Sequence, residues 1–234
     1  MRGPSLYVHA VLESPVPSSR APAGIEIMPV AGLFAAVERT THQPVLCEES
    51  LRRQHGIVVA LHRAARAVVP VRFGALVDAD ELTEVIRLRR AELGRALQGV
   101  RGREQMTIRV FGPRDAAGRH AGAAPSSGAE YLRQRAASAR PVLTPGVERM
   151  IEAVATIAQA QTVDPGRGEI QVTIHHLIRR GLADRYRREA TSSAATTEPA
   201  LNIVISGPWP PFAFAPDIWS AGPASKPLGV RARQ

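Results

Sequence analysis

The stretch LNIVISGPWPPFAF, residues 201–214, makes two opposite demands on the backbone. Leu201 to Ser206 is rich in β-branched and apolar residues and reads as a strand. Gly207, Pro208, Trp209, Pro210 and Pro211 follow at once. The three prolines fix φ and remove ladder donors, so this piece is expected to leave the sheet as a stiff, polyproline-like segment. Gly207 has no Cβ and offers a sharp turn at the exit. The chain holds 10 aromatic residues, and Trp209, Phe212, Phe214 and Trp219 all fall within this region and just after it. A stiff segment loses little entropy on docking, and large aromatics supply contact area. Two compatible readings follow: a belt packed on its own domain, and a docking surface for another protein. In the expected division of labour, Trp209 locks the segment to its domain while Phe212 or Phe214 meets the partner.

Upstream of this stretch, the second half holds an alternating strand at 106–110 and a low-complexity linker at 112–128. A short helix is expected around 130–139. Another opens at Thr144-Pro145, with Val147, Ile151, Val154 and Ala158 as its stripe. A strand at 169–178 and a basic helix at 181–190 complete this half. The first half reads as a strand at 5–12, then two short strands within 25–38 around a turn at Ala31-Gly32. Pro29 suits an edge position there. A helix at 44–67 follows, with Leu51, His55, Val58, His62 and Ala65 on one face. VVPVRFGALV, residues 68–77, reads as a buried strand bent at Gly74. Asp78, three residues before Glu81, caps a helix at 79–98. Interspersed helices and short strands predict an α+β protein of two domains, each a small sheet with helices on one face. The expected boundaries are 1–100, 101–215 and a flexible tail at 216–234.

Composition narrows the function classes. The chain has 234 residues with 44% hydrophobic and 22% charged, which is a globular balance. Cys47 is the single cysteine, so an intrachain disulfide framework and a multi-cysteine zinc site are excluded. No apolar run is long enough to span a membrane. Leu6 to Leu12, ended by Glu13 without a cleavage site, does not read as a signal peptide, and the expected compartment is the cytoplasm. The net charge is +9, and all basic residues but Lys226 are arginine. Residues 101–234 carry +7 of that charge. A basic half suggests a nucleic-acid-binding or regulatory protein as the alternative function. Strands 106–110 and 169–174 hold no aromatic stacking platform, which counts against RNA.

Chemistry-bearing constellations are few. There is no glycine-rich phosphate loop and no nucleophile elbow. His175 and His176 are neighbours on a strand and face opposite sides, so they do not chelate together. His55 and His62 lie two turns apart, which suits histidines at the core margin better than a metal pair. Asp78, Asp80, Glu81 and Glu84 complement a helix dipole without any ligand. Arg179, Arg180, Arg185, Arg187 and Arg188 read as a solvated helix face. Neither a catalytic residue, a cofactor nor a metal is expected. Arg72, set in an apolar strand, needs a carboxylate or carbonyl partner if buried, and is expected to bridge the two halves as a structural residue.

SGPWPPFAF at 206–214 closely resembles the C-terminal signature of the gas vesicle protein F/L family, usually GPWPPYSF. VVPVRFGALV at 68–77 is similar to that family's VLPVRFGTVF, and His55 matches its histidine on the preceding helix. LYVHAV at 6–11, GREQM at 102–106 and AEYLRQR at 129–135 resemble further blocks in the same order. Ala75, Phe212 and Ala213 depart from the pattern by losing hydroxyls while keeping shape. The resemblance implies a minor gas vesicle protein required to form a gas-filled shell, and a C-terminal domain with a modified ferredoxin-like fold. It implies contact with the hydrophobic shell-forming subunit and other gas vesicle proteins, in the cytoplasm and at the vesicle. Trp209, Phe212, Phe214, Pro208, Pro210 and Pro211 are then the partner-binding or structural motif. Arg72, Phe73, Gly74 and His55 are structural.

Overall fold

The computed structural model describes residues 5–111, 143–166, 168–196 and 202–219. The expected linker at 112–128 and helix at 130–139 lie outside them. The chain divides into two compact units, one of residues 1–101 with 214–234, the other of residues 102–213.

The first unit is built on β1 (Ser5–Leu12), buried from Leu6 to Leu12. β2 (Glu26–Val30) and β3 (Leu33–Thr40) form a hairpin in which Ala31 and Gly32 both take positive φ, 46° and 76°. That is the two-residue turn whose twist matches paired strands. Pro29 lies on the edge strand, as its missing N–H requires. β1 pairs antiparallel with β3 on one side and with β4 (Val68–Pro70) and β5 (Leu76–Val77) on the other. The single expected strand at 68–77 is thus two short pieces around the loop Val71–Ala75, where Gly74 sits at φ 94°.

Helix α1 (Glu48–Ala64) packs Ile57 and Leu61 against Ala10, Leu12, Ala36 and Val68. Its buried side is Gln54, Ile57, Val58, Leu61 and His62. The stripe expected through Leu51 and His55 is therefore rotated: both are exposed. The expected helix at 79–98 is two helices, α2 (Ala79–Leu88) and α3 (Arg90–Val100), broken at Arg89. Asp78 Oδ1 accepts the Glu81 N–H at 2.8 Å, the capping contact that its spacing implied.

The second unit runs β6 (Arg103–Phe111), α4 (Pro145–Val154), β7 (Ala158–Pro165), β8 (Ile170–Arg179), α5 (Ala183–Ala195), β9 (Asn202–Trp209). The sheet order is β7-β8-β6-β9, with every pairing antiparallel. This split βαββαβ order is the ferredoxin-like arrangement. One face of the sheet supplies Met106, Ile108, Val110, Val172, Ile174 and Ile178 to a core completed by Val147, Met150, Val154, Tyr186 and Ala190 of α4 and α5. β7 is absent from the sequence expectation, which carried the helical stripe to Ala158. The helix instead ends at Val154, and Ala158 opens the edge strand held by β8.

Candidate functional site

β9 does not stop at Ser206. It continues through Gly207 and Pro208 to Trp209, which pairs with Gln105. Proline is tolerated because β9 is the outer strand beside β6. The register jumps between Gln105 and Thr107, so the extra residue on β9 makes a bulge beside Gly207. Gly207 has φ 123°, and a Cβ there would lie 2.7 Å from the Gln105 carbonyl oxygen and 2.8 Å from Met106 Sδ. Only glycine fits that approach. Arg187 donates to the Gly207 carbonyl oxygen and, at 2.6 Å, to Asp184 Oδ1.

Beyond the bulge, Pro210 and Pro211 are buried. Phe212 N–H donates to the Pro210 carbonyl at 2.8 Å, and Phe212–Phe214 forms a single 3₁₀ turn. Ala213 N–H donates to Gln105 Oε1 at 2.9 Å. Trp209 and Phe212 are each 37% exposed, and Phe214 is half-buried. Trp209 Nε1–H donates to Ser206 Oγ at 3.4 Å. Along this segment the two prolines are buried and Trp209 is partly open.

Gln105 belongs to a chain of polar groups on the sheet face opposite α4 and α5. Its Nε2 donates to Thr107 Oγ1 and to His175 Nδ1, each at 3.1 Å. Thr107 Oγ1 lies 3.0 Å from the same nitrogen. His175 Nε2 faces Asp164 Oδ2 at 3.3 Å. His176 points the other way, fully buried between Tyr186 Oη at 2.6 Å and Gln161 Oε1 at 3.0 Å. The opposite-face expectation for the two histidines holds. Burial holds His175 below the usual histidine range, and it takes His176 down to about 4. Nothing in the sequence pattern singled out Gln105. A lone glutamine on a strand carries no motif, and only the sheet order brings it to His175 and to Ala213.

The second sequence block forms a site within the first unit. Val71 N–H donates to the His9 carbonyl, and Val8 N–H to that of Ala75, each at 2.9 Å. Tyr7 Oη–H donates to Gln54 Oε1, and Gly74 N–H donates to Tyr7 Oη at 3.1 Å. Gln54 Nε2 closes the ring on the Val71 carbonyl at 2.9 Å. His9 sits at a bulge of β1, stacked edge-on against Tyr7 and 3.4 Å from Glu38 Oε2. Glu38 is held by Arg53 at 2.6 Å, and this contact keeps its carboxyl below the usual range. Burial lowers the His9 pKa and raises that of Tyr7.

Arg72 is 73% exposed, not buried, because β4 ends at Pro70 and the loop carries the side chain outward. Its partner is the carboxylate of Asp217, which lies in the second half of the sequence but in the same compact unit as Arg72. Arg72, Phe73, Gly74, Ala75, Asp217 and Trp219 line a cleft of about 230 Å³. Residues 216–219, expected as the start of a tail, include the buried Ile218. His55 lies on the exposed side of α1. Among the described residues no group of three or more His, Cys, Asp or Glu is arranged to hold a metal ion, and no helix is long and apolar enough to cross a membrane.

Comparison with known proteins agrees with this architecture. The chain is similar to the crystal structure of gas vesicle protein GvpF from Anabaena sp. PCC7120, with a TM-score of 0.71 and 16% identity over 92% of this chain and 97% of that one. It is similar also to GvpF from Microcystis aeruginosa, with a TM-score of 0.69 and 14% identity over 92% of this chain and 100% of that one. At these identities the likeness is one of fold. No curated protein matches the sequence. The family model of the gas vesicle synthesis protein GvpL/GvpF matches residues 5–216, which contain both sequence blocks and both polar clusters, and the chain belongs to that family.

Proposed function

We propose that this chain is an accessory protein of gas vesicle formation, in the cytoplasm and at the vesicle, that binds the hydrophobic shell-forming subunit through the segment Pro208–Phe214. The observation that carries this reading is the division of burial along the segment. Pro210 and Pro211 are sunk into the protein, while Trp209 and Phe212 are held open at 37% exposure each. Partly open aromatics on a pre-stiffened backbone give up little entropy when a partner covers them. A shell subunit with a gas-facing apolar side needs such cover before it polymerises, which makes the role one of assembly rather than catalysis.

The test is co-purification of the full-length chain with the shell subunit at low and high salt. Trp209→Ala and Phe212→Ala should each weaken binding about 30-fold, from roughly 2 kcal/mol per truncated anchor. Their circular dichroism should match the parent. Apolar docking persists at high salt, whereas binding driven by the +7 half to a polyanion collapses with it. Normal shell binding by the double variant would remove this reading.

A further inference from the structure

The sheet face opposite the helices of the second unit carries a connected path from its outermost strand to the aromatic segment. On β7, Asp164 Oδ2 faces His175 Nε2 at 3.3 Å. On β8, His175 Nδ1 faces Gln105 Nε2 at 3.1 Å and Thr107 Oγ1 at 3.0 Å. On β6, Gln105 turns its other amide atom, Oε1, to the Ala213 N–H at 2.9 Å. Gln105 and Thr107 are buried. A carboxylate accepts, so His175 Nε2 carries a proton and donates to Asp164. A primary amide nitrogen only donates, so Nδ1 is the acceptor and the imidazole is neutral. The orientation of one side chain, Gln105, thus depends on the protonation of another.

We propose that Gln105 is the residue that positions the Trp209–Ala213 segment, and that His175 sets which way Gln105 faces. With neutral His175, the amide nitrogen satisfies Nδ1 and the amide oxygen holds Ala213. A proton on Nδ1 turns that acceptor into a donor, leaving two N–H groups opposed at 3.1 Å. Turning the amide over places Oε1 against the new Nδ1–H in a charge-assisted bond, with the Thr107 hydroxyl free to donate to it as well. The same turn presents NH₂ to the Ala213 N–H, donor against donor, and the anchor of the 3₁₀ turn is lost. The charged groups facing His175 are Asp164 from β7, which favours the cation, and Arg109 from β6, which opposes it. His176, next on β8, faces the helices. Burial holds the imidazole neutral near pH 7, so acidification is the direction that releases the segment.

This inference rests on the segment being the docking element, but its test needs no partner. The ¹⁵N-labelled full-length chain is titrated by NMR from about pH 8 to about pH 4, across the histidine range. Two quantities are followed: the His175 ring shifts, and the Ala213 amide protection factor, referred at each pH to the intrinsic exchange rate. The Ile108 amide serves as a control for unfolding of the sheet. Ala213 protection should fall about tenfold or more, as loss of one hydrogen bond implies, at the midpoint of His175, with Ile108 unchanged. In Gln105→Glu, a carboxylate accepts from both neighbours. His175 should then titrate at higher pH, and Ala213 should stay protected across that midpoint. In Gln105→Leu, Ala213 should be unprotected throughout. Protection in the parent that persists through the His175 midpoint, or parental protection in Gln105→Leu, overturns the proposal. Loss of shell binding in the co-purification experiment tests the docking reading alone, and these amide measurements test the relay alone.

Discussion

Lowering the pH should destabilise the second unit through His176, and the size of the effect follows from its surroundings. The ring is fully buried, accepting from Tyr186 Oη–H at Nδ1 and donating from Nε2 to Gln161 Oε1. Burial takes its pKa from 6.5 to about 4, with the charge of His175 adding to the effect. The unfolded chain therefore binds this proton at higher pH than the folded one does. Stability from this site is full above about 6.5, falls as the pH drops below it, and is lost by about 4. A tenfold change in the proton equilibrium is about 1.4 kcal/mol, so the full loss is about 3 kcal/mol, of which about 2 kcal/mol falls between pH 7 and pH 5. Urea unfolding of the parent and of His176→Gln at those two pH values isolates it. His9 and His175 titrate in both chains and cancel in the comparison. The parent should lose about 2 kcal/mol more than the variant on acidification. Equal losses would show that His176 accepts its proton in the folded state and would refute the reasoning.

Three further outcomes follow from the geometry. Arg72→Ala should change stability by less than about 1 kcal/mol in urea melts, because an exposed ion pair gains little in water. Gly207→Ala should cost more than about 1 kcal/mol, since the new Cβ meets the Gln105 carbonyl at 2.7 Å on a backbone with φ 123°; thermal melting reads it directly. Tyr7→Phe should cost about 1–3 kcal/mol by leaving Gln54 Oε1 and the Gly74 N–H without the hydroxyl, and the Gly74 amide should exchange faster.

Local chemistry marked the turns and caps well. Ala31-Gly32, Asp78 and Thr144 act within a few residues, and each does what its spacing implies. What failed depended on partners distant in sequence. AQAQTVDP has weak strand character, and Ala158 continues a helical stripe, so only the β8 ladder makes it a strand. Prolines argued against a strand through 207–209, yet a position on the outer strand removes the penalty. Arg72 was read as part of an apolar strand, but two residues beyond Pro70 the chain is already a loop. In the candidate site, the aromatic residues were legible as a group. Their anchoring was not, because it passes through Gln105, whose neighbours are set by strand order.

The assignment of Phe214–Trp219 to the first unit bears on the order of events at the ribosome. The chain makes residues up to Arg101, then the whole of Gly102–Ala213, and only then Asp217, Ile218 and Trp219, which complete the Arg72 cleft. At about 5–20 residues per second, the first unit waits roughly 6–24 s for its last piece. During that interval the second unit is itself being made, and it gains its last residue, Ala213, before the first unit does. The nascent first unit presents an unfinished surface to chaperones, and any early stop beyond Ala213 releases a chain whose first-made half is the incomplete one.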